Sequence, residues 1–264
     1  MKITFLGTGT SHGVPQIDCL LNNYEKCPHD FCSSSDTDPK NLRTRSSILI
    51  EKDNFHVLID TSLDFRFQML RSKVRKIDAV LYTHSHADHI YGLPDIRSYS
   101  FNQQKGIDIY GTLETITDIK KAFGFIFTPP ELKGGGIAEV NPHIISGPFM
   151  LGNMTVTAVP VHHGLLIGCV GYRINDIAYL PDVKEIPDSS IALLKGLEVL
   201  IIDSLRTNPH PTHLSMGESL GIAEELKPKY TFFTHMCHVI DYKKEEKNLP
   251  ENIRFAYDTL EVEV

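Results

Sequence analysis

No apolar run in this 264-residue chain approaches the roughly 20 residues that a membrane-spanning helix requires. The opening stretch, Met1 to Gly7, is too short in its apolar part for a secretory leader, so the expected compartment is the cytoplasm. Positive charge is also scarce: 26 Lys and Arg face 33 Asp and Glu, a formal net charge of −7. Such a balance lacks the broad basic footprint needed by a nucleic-acid duplex or an anionic membrane. A nucleotide or a single phosphate remains compatible with it, because a bound cation neutralises those locally. Cysteines are few and odd in number (Cys19, Cys27, Cys32, Cys169 and Cys237), which argues against a disulfide framework. Neither a linker-like stretch nor a short-period repeat divides the chain, so one domain over residues 1–264 is expected.

Histidine is plentiful instead, with 13 in the chain, nine of them in four clusters: 84–89, 162–163, 210–213 and 235–238. Apolar runs precede most of these clusters. Lys2–Leu6 reads as a strand ending in a glycine-rich turn, and Ser47–Glu51 pairs with Phe55–Asp60 around Lys52-Asp53-Asn54. Thr61 is the expected cap of a helix carrying Leu63, Phe67 and Leu70. Further strands are expected at Asp78–Tyr82, Thr155–Val161, Ile177–Leu180, Leu197–Ile202 and Tyr230–Thr234, with a helix over Met216–Leu226. Four of the later strands end at a His or an Asp, which places chemistry along one rim of a sheet. Hairpins mixed with βα units point to an α/β (α+β) protein with two packed sheets. Two stretches stand apart: a polar, Cys-rich excursion at about 18–47, and an irregular insert at about 123–140 that is either a surface loop or a lid.

The densest signal is His84-Ser-His-Ala-Asp-His89, three imidazoles and a carboxylate directly after a strand. Those groups suit Zn, Mn or Fe, and one such segment can serve two adjacent metals. The alternative is a solvated, histidine-rich turn. The segment resembles the H-x-H-x-D-H signature of the metallo-β-lactamase superfamily, whose fold is a four-layer αββα sandwich. The resemblance implies further ligands at later strand ends, which this chain offers in family order: His163 (with His162 as the alternative), Asp182 and His235. One implied site is then His84, His86, His163 and Asp182; the other is Asp88, His89, Asp182 and His235. Two metals lower the pKa of a bridging water and polarise phosphoryl oxygens, and Asp88 and Asp182 keep the net charge of the site low. Asp60 and Asp203 are candidates for orienting the imidazoles, or are plain turn residues.

Phe5–Pro15 and the Arg43–Ser47 run resemble those of PhnP-type cyclic phosphodiesterases, over essentially the whole chain. That branch implies a metal-dependent phosphodiesterase of small, sometimes cyclic, esters, with His213 as general acid beside the catalytic Asp88. His210 competes for the acid role, and Arg206 is a candidate phosphate contact. The same branch implies a structural zinc held by Cys19, Cys27, Cys32 and His238, although the cysteine spacing here is stretched and Cys237 is a possible substitute. Expected cofactors are two divalent cations, Zn or Mn, plus this third zinc. The expected partner is a small phosphodiester or nucleotide, with a homodimer left open. A tRNase Z-like nuclease and a glyoxalase II-like thioester hydrolase share the metal motif and are the alternatives. The first would carry a basic, Gly-rich arm, which the sequence lacks.

Overall fold

The computed structural model describes residues 1–34, 37–128 and 136–264. Six strands start the first sheet: β1 (Lys2–Gly7), β2 (Ser47–Lys52), β3 (Phe55–Ile59), β4 (Ala79–Leu81), β5 (Ile107–Gly111) and β6 (Val140–Ile144). The second holds β7 (Phe149–Leu151), β8 (Met154–Pro160), β9 (Val170–Ile174), β10 (Ile177–Leu180), β11 (Val199–Asp203), β12 (Tyr230–Thr234) and β13 (Ile253–Phe255). The chain then returns, and β14 (Glu261–Glu263) pairs antiparallel with β1 at the edge of the first sheet. Each sheet is antiparallel at one end and parallel at the other; β3 to β6 and β10 to β13 run parallel.

Side-chain alternation builds the layers. Ile3, Phe5, Ile48, Ile50, Val57 and Ile59 point inward and meet Val156, Tyr172, Tyr179, Val199 and Ile201 of the other sheet. Their neighbours Leu6, Leu49, Leu58 and Val80 point outward and are covered by helix residues such as Phe65, Met69, Ile116 and Ile119. Across the molecule, Leu200, Ile202 and Phe233 are covered in the same way by Leu194 and Ala223. Strands buried on both faces must be apolar throughout, which is why residues 199–202 read as an unbroken hydrophobic run. The result is the four-layer αββα sandwich.

The β2–β3 turn forms as expected, with Asp53 and Asn54 at φ 47° and 63°, the left-handed pair that a two-residue hairpin requires. The next helix differs from expectation. It covers Phe65–Arg71 and follows Asp64, while Thr61 is buried and bonded to Tyr82 and Ile90. Its buried face is Phe65, Gln68 and Met69; Leu63, Phe67 and Leu70 face solvent. The apolar spacing was real but marked the outer face, because Gln68 is drawn inward to bond Ser62, Thr44 and the Arg45 carbonyl. The excursion at 18–47 holds a short helix, Ile17–Leu21, and a single turn at Pro39–Asn41. Of the insert at about 123–140, read as either a surface loop or a lid, residues 129–135 lie outside the described residues. No helix among the described residues is long and apolar enough to cross a membrane.

Candidate metal and catalytic site

The carboxyl ends of β4, β8, β10, β11 and β12 open on one rim, where a Val170 N–H to Thr83 C=O bond ties the two sheets together. Each side chain on that rim is held from behind. Asp60, at φ 63°, accepts from the Thr83 N–H and hydroxyl at 2.8 Å each and from His89 Nδ1 at 2.7 Å. Since the Thr83 hydroxyl donates to Asp60, it accepts from His84 Nδ1 at 3.0 Å. The Thr212 carbonyl accepts from His163 Nδ1 at 2.8 Å, and Asp203 Oδ2 accepts from His213 Nδ1 at 2.8 Å. For His84, His89, His163 and His213 these bonds place a proton on Nδ1 and turn Nε2 to the rim; His86 instead turns its Nδ1 toward His84 Nε2.

The freed atoms converge in two sets. His84 Nε2 lies 3.1 Å from His86 Nδ1 and 3.9 Å from Asp182 Oδ2, and His163 Nε2 lies 3.6 Å from the same oxygen. In the second set His89 Nε2 lies 3.2 Å from both Asp88 Oδ2 and Asp182 Oδ1, with His235 Nε2 3.8 Å and 3.3 Å from those two oxygens. Ligand atoms about 2.0–2.1 Å from a tetrahedral cation stand ~3.4 Å apart, so each set has the spacing of a coordination shell. Asp182 gives one oxygen to each. His89 Nε2, His235 Nε2 and Asp182 Oδ1 are buried without a hydrogen-bond partner. Orphaned polar atoms facing one another in a dry site are costly unless something sits between them, and a divalent cation fits.

Electrostatics agree with that fit. Burial, then neighbouring imidazoles, holds His84 well below its ordinary pKa, and burial likewise lowers His86 and His163, so all three are neutral donors. Burial alone would raise Asp88 and Asp182, but facing imidazoles outweigh it and keep both ionised. Asp203, with Asp182 nearby, is pushed well above the carboxylate range by its own burial. His235 takes φ 58°, a strained backbone for a non-glycine residue, of a kind that clusters at functional sites. Its neighbour Met236 is clamped by two backbone bonds to the N-terminal turn, at Thr8 and Thr10.

A cavity of about 480 Å³ opens above these atoms, lined on its polar side by Ser11, Asp88, Asp182 and Thr212. His213 lines it as well, its ring stacked on His235 with centroids 4.8 Å apart. Ser215, rather than His213, caps the following helix, through a reciprocal pairing with Glu218. His163 is the residue in the ligand set; His162 is exposed and faces Glu185. Arg206 is not among the residues that line the cavity and donates to the carbonyls of Asn208 and Pro209. His210 is engaged with Thr212, also off the cavity wall. Ser11, Leu165 and Leu166 line the cavity and were missed in the sequence, where only the glycines at 164 and 168 bracket the last two.

A second cluster sits behind the rim. Cys19, Cys27, Cys32 and His238 bring one donor atom each within 4.8 Å of one another, and Cys19 Sγ lies 3.2 Å from His238 Nδ1. Cys237 is outside it. Burial, reinforced by the Cys32 and Cys27 thiols, pushes Cys19 up to about 12. Cys27 stays below its ordinary value because hydrogen bonds from Cys32 and His29 outweigh its burial.

The family profile of the β-lactamase superfamily domain matches residues 56–236, more than half of the chain. The chain belongs to the metallo-β-lactamase superfamily. A crystal structure of a diphosphatase from the PhnP family superposes on this metallo-β-lactamase domain with a TM-score of 0.88 and 40% identity, covering 100% of this chain and 97% of that one. Ribonuclease BN of Cronobacter sakazakii is 31% identical over 220 residues, 75% of this chain and 69% of its own. An octanoyltransferase of Porphyromonas gingivalis is 32% identical over 267 aligned residues, 99% of this chain. This chain spans about half (51%) of that protein's length. As a member of this superfamily, alongside a diphosphatase and ribonucleases, the chain is a hydrolase of a fold that binds divalent metal.

Proposed function

We propose that this hydrolase is a metal-dependent phosphodiesterase that cleaves a small ester or anhydride of phosphoric acid, cyclic esters included. The observation that carries the reading is the shared Asp182 between two four-residue donor sets, with His213 facing the same cavity. One set is His84, His86, His163 and Asp182; the other is Asp88, His89, Asp182 and His235. Divalent cations held there, Zn or Mn, supply Lewis acidity toward phosphoryl oxygens and toward water.

The protein's own groups do the rest. Asp88 and Asp182 set two negative charges against the cations, so a phosphate anion is not over-held. His213 is the general acid: its Nε2 faces the cavity while Asp203 Oδ2 fixes the proton on Nδ1. His213 donates as the imidazolium: Nε2 takes up a proton from solvent, which burial opposes and Asp182 and Asp88 favour, and delivers it to the departing oxygen so that no free alkoxide is released, while Asp203 keeps the ring aimed. Ser11 and Thr212 offer polar groups at the mouth. Behind the rim, Cys19, Cys27, Cys32 and His238 form the closed shell a structural zinc prefers. Zinc there ties the Cys-rich excursion to the turn that follows His235.

A panel of bis(p-nitrophenyl) phosphate, a ribose cyclic phosphate, a dinucleoside diphosphate, a short RNA and S-lactoylglutathione tests the reading, with metal removed and restored. Metal-dependent cleavage of phosphate esters, abolished in Asp182→Ala, is expected. Thioester cleavage alone, or full phosphodiesterase activity in Asp182→Ala, would sink it. The ribonuclease relatives favour one second reading, cleavage of RNA. The RNA arm decides it: a kcat/KM for RNA far above that for every small ester would establish a nuclease.

A further inference from the structure

The cavity has a lip that neither ligation nor proton transfer uses. Directly after His163 the chain runs Gly164-Leu-Leu-Ile-Gly168 before it enters β9. Both ends are pinned. Gly164 has φ 57°, and a Cβ there would stand 3.0 Å from Thr212 Cγ2. Gly168 has φ 78°, and a Cβ there would press to 2.8 Å on Thr112 Oγ1 and Glu114 Oε2. The Thr112 hydroxyl donates to the Gly168 carbonyl at 3.0 Å, and the Leu166 N–H donates to His163 C=O at 3.2 Å. Three aliphatic residues are thus held on a fixed arch beside a proposed ligand.

Their exposure is unusual for the chain. Leu166 is half-buried and packs toward the outer core, but Leu165 is 101% exposed and Ile167 76% exposed. Leu165 and Leu166 line the same cavity as His86, His163 and His213. Contiguous wet hydrocarbon on a braced arch at a polar cavity marks a binding surface rather than scattered exposure. The same cavity is also lined by the polar Ser11, Asp88 and Asp182, so it offers both charged and apolar contacts to a ligand.

We infer that this lip selects the organic part of the substrate: the ester cleaved here carries an apolar or planar group beside the phosphorus, laid against Leu165 in the cavity wall, with the exposed Ile167, outside that wall, as its outer edge. The inference rests on the phosphodiesterase reading above. Aliphatic contact is non-directional, so a nucleobase and an alkyl chain satisfy the same surface, and the test carries an arm for each.

Three esters that share one leaving group separate the terms: methyl, octyl and thymidine-5′ p-nitrophenyl phosphate, with metal-loaded protein. The native protein is expected to prefer the octyl or the thymidine ester over the methyl ester. In Leu165→Ser and Ile167→Ser that preference in kcat/KM should collapse by roughly tenfold, carried by KM, as for loss of an apolar contact. Leu165→Met should restore it. Leu70→Ser, also exposed but on the helix Phe65–Arg71 beside a different cavity, should leave the preference as in the native chain. An unchanged preference in both serine variants overturns the inference. A dimer that falls to monomer in Leu165→Ser, with the preference intact, overturns it too and assigns the lip to a second copy of this chain. Failure of the native protein to hydrolyse any of the three sinks the phosphodiesterase reading itself, and the lip inference with it.

Discussion

At the residue scale, the site depends on carboxylates that aim imidazoles. Asp60 holds His89 Nδ1 at 2.7 Å and Asp203 holds His213 Nδ1 at 2.8 Å, while the other Asp203 oxygen, 3.8 Å from His235 Nδ1, is too far for a hydrogen bond. His213→Ala should keep its metal content and lose roughly two to four orders of magnitude in turnover. The loss should shrink with p-nitrophenolate as leaving group, which needs little protonation; an equal loss for good and poor leaving groups would indicate a binding role. A different residue supports the turn after His235. Arg43 is fully buried with no carboxylate bonded to it among the described residues, and donates to the carbonyls of Cys237 and Ile240, on either side of His238. Removing it takes this donor from the Ile240 carbonyl, at about 1–3 kcal/mol, while the Cys237 carbonyl keeps the Ile240 N–H at 3.3 Å. Arg43→Met should therefore lower unfolding free energy by about 1–3 kcal/mol in urea melts, and chelators should strip zinc from it faster than from the native chain. Native stability in Arg43→Met would refute this.

At the scale of elements, the helix Met216–Leu226 starts just after the loop that carries His213, and its Ser215 cap fixes that junction. Ser215 accepts from the Glu218 N–H, and Glu218 returns to the Ser215 N–H and hydroxyl while pairing with Lys184 at 2.6 Å. Burial opposes ionisation of Glu218, but Lys184 and Ser215 outweigh it and lower its pKa to about 2. A carboxylate depressed in the folded state adds stability above its unfolded pKa of about 4.5 and loses it as pH falls toward 2. The difference in stability between the native chain and Glu218→Gln should accordingly be largest near pH 6 and vanish near pH 2. The effect is small, because the pair is partly exposed. A gap independent of pH would show that the carboxylate charge plays no part. Elements were well marked in the sequence wherever a run is apolar throughout, as in β10 and in residues 199–202 of β11. The helix Phe65–Arg71 was misread because spacing alone does not say which face is inward; a single Gln68 with three buried partners decides it.

For the molecule as a whole, the Cys-rich excursion, the rim and the C-terminal turn form one linked unit. Arg43 and the cluster of Cys19, Cys27, Cys32 and His238 join the start of the chain to a turn 219 residues away from Cys19. Zinc content should exceed two per chain by elemental analysis. Cys27→Ser should lose one zinc, expose the segment Asp18–Asp38 to protease and weaken the cation held by His235. Unchanged zinc content in both Cys27→Ser and Cys32→Ser would mean that no zinc resides there. By itself the sequence picked out the candidate donors, because His and Asp at the ends of apolar strands are chemically conspicuous, and the superfamily resemblance set their order, favoured His163 over His162 and put Asp182 in both sets. Only the tertiary structure supplied the distances: His163 and not His162 stands in the donor cluster, each Asp182 oxygen faces one set, and cysteines at stretched spacing still meet one histidine. It also placed Leu165 at the mouth of the cavity. Those outcomes are distances between residues far apart in the chain. Such distances follow from how two sheets pack and which hydrogen bonds orient each ring, neither of which a local pattern encodes.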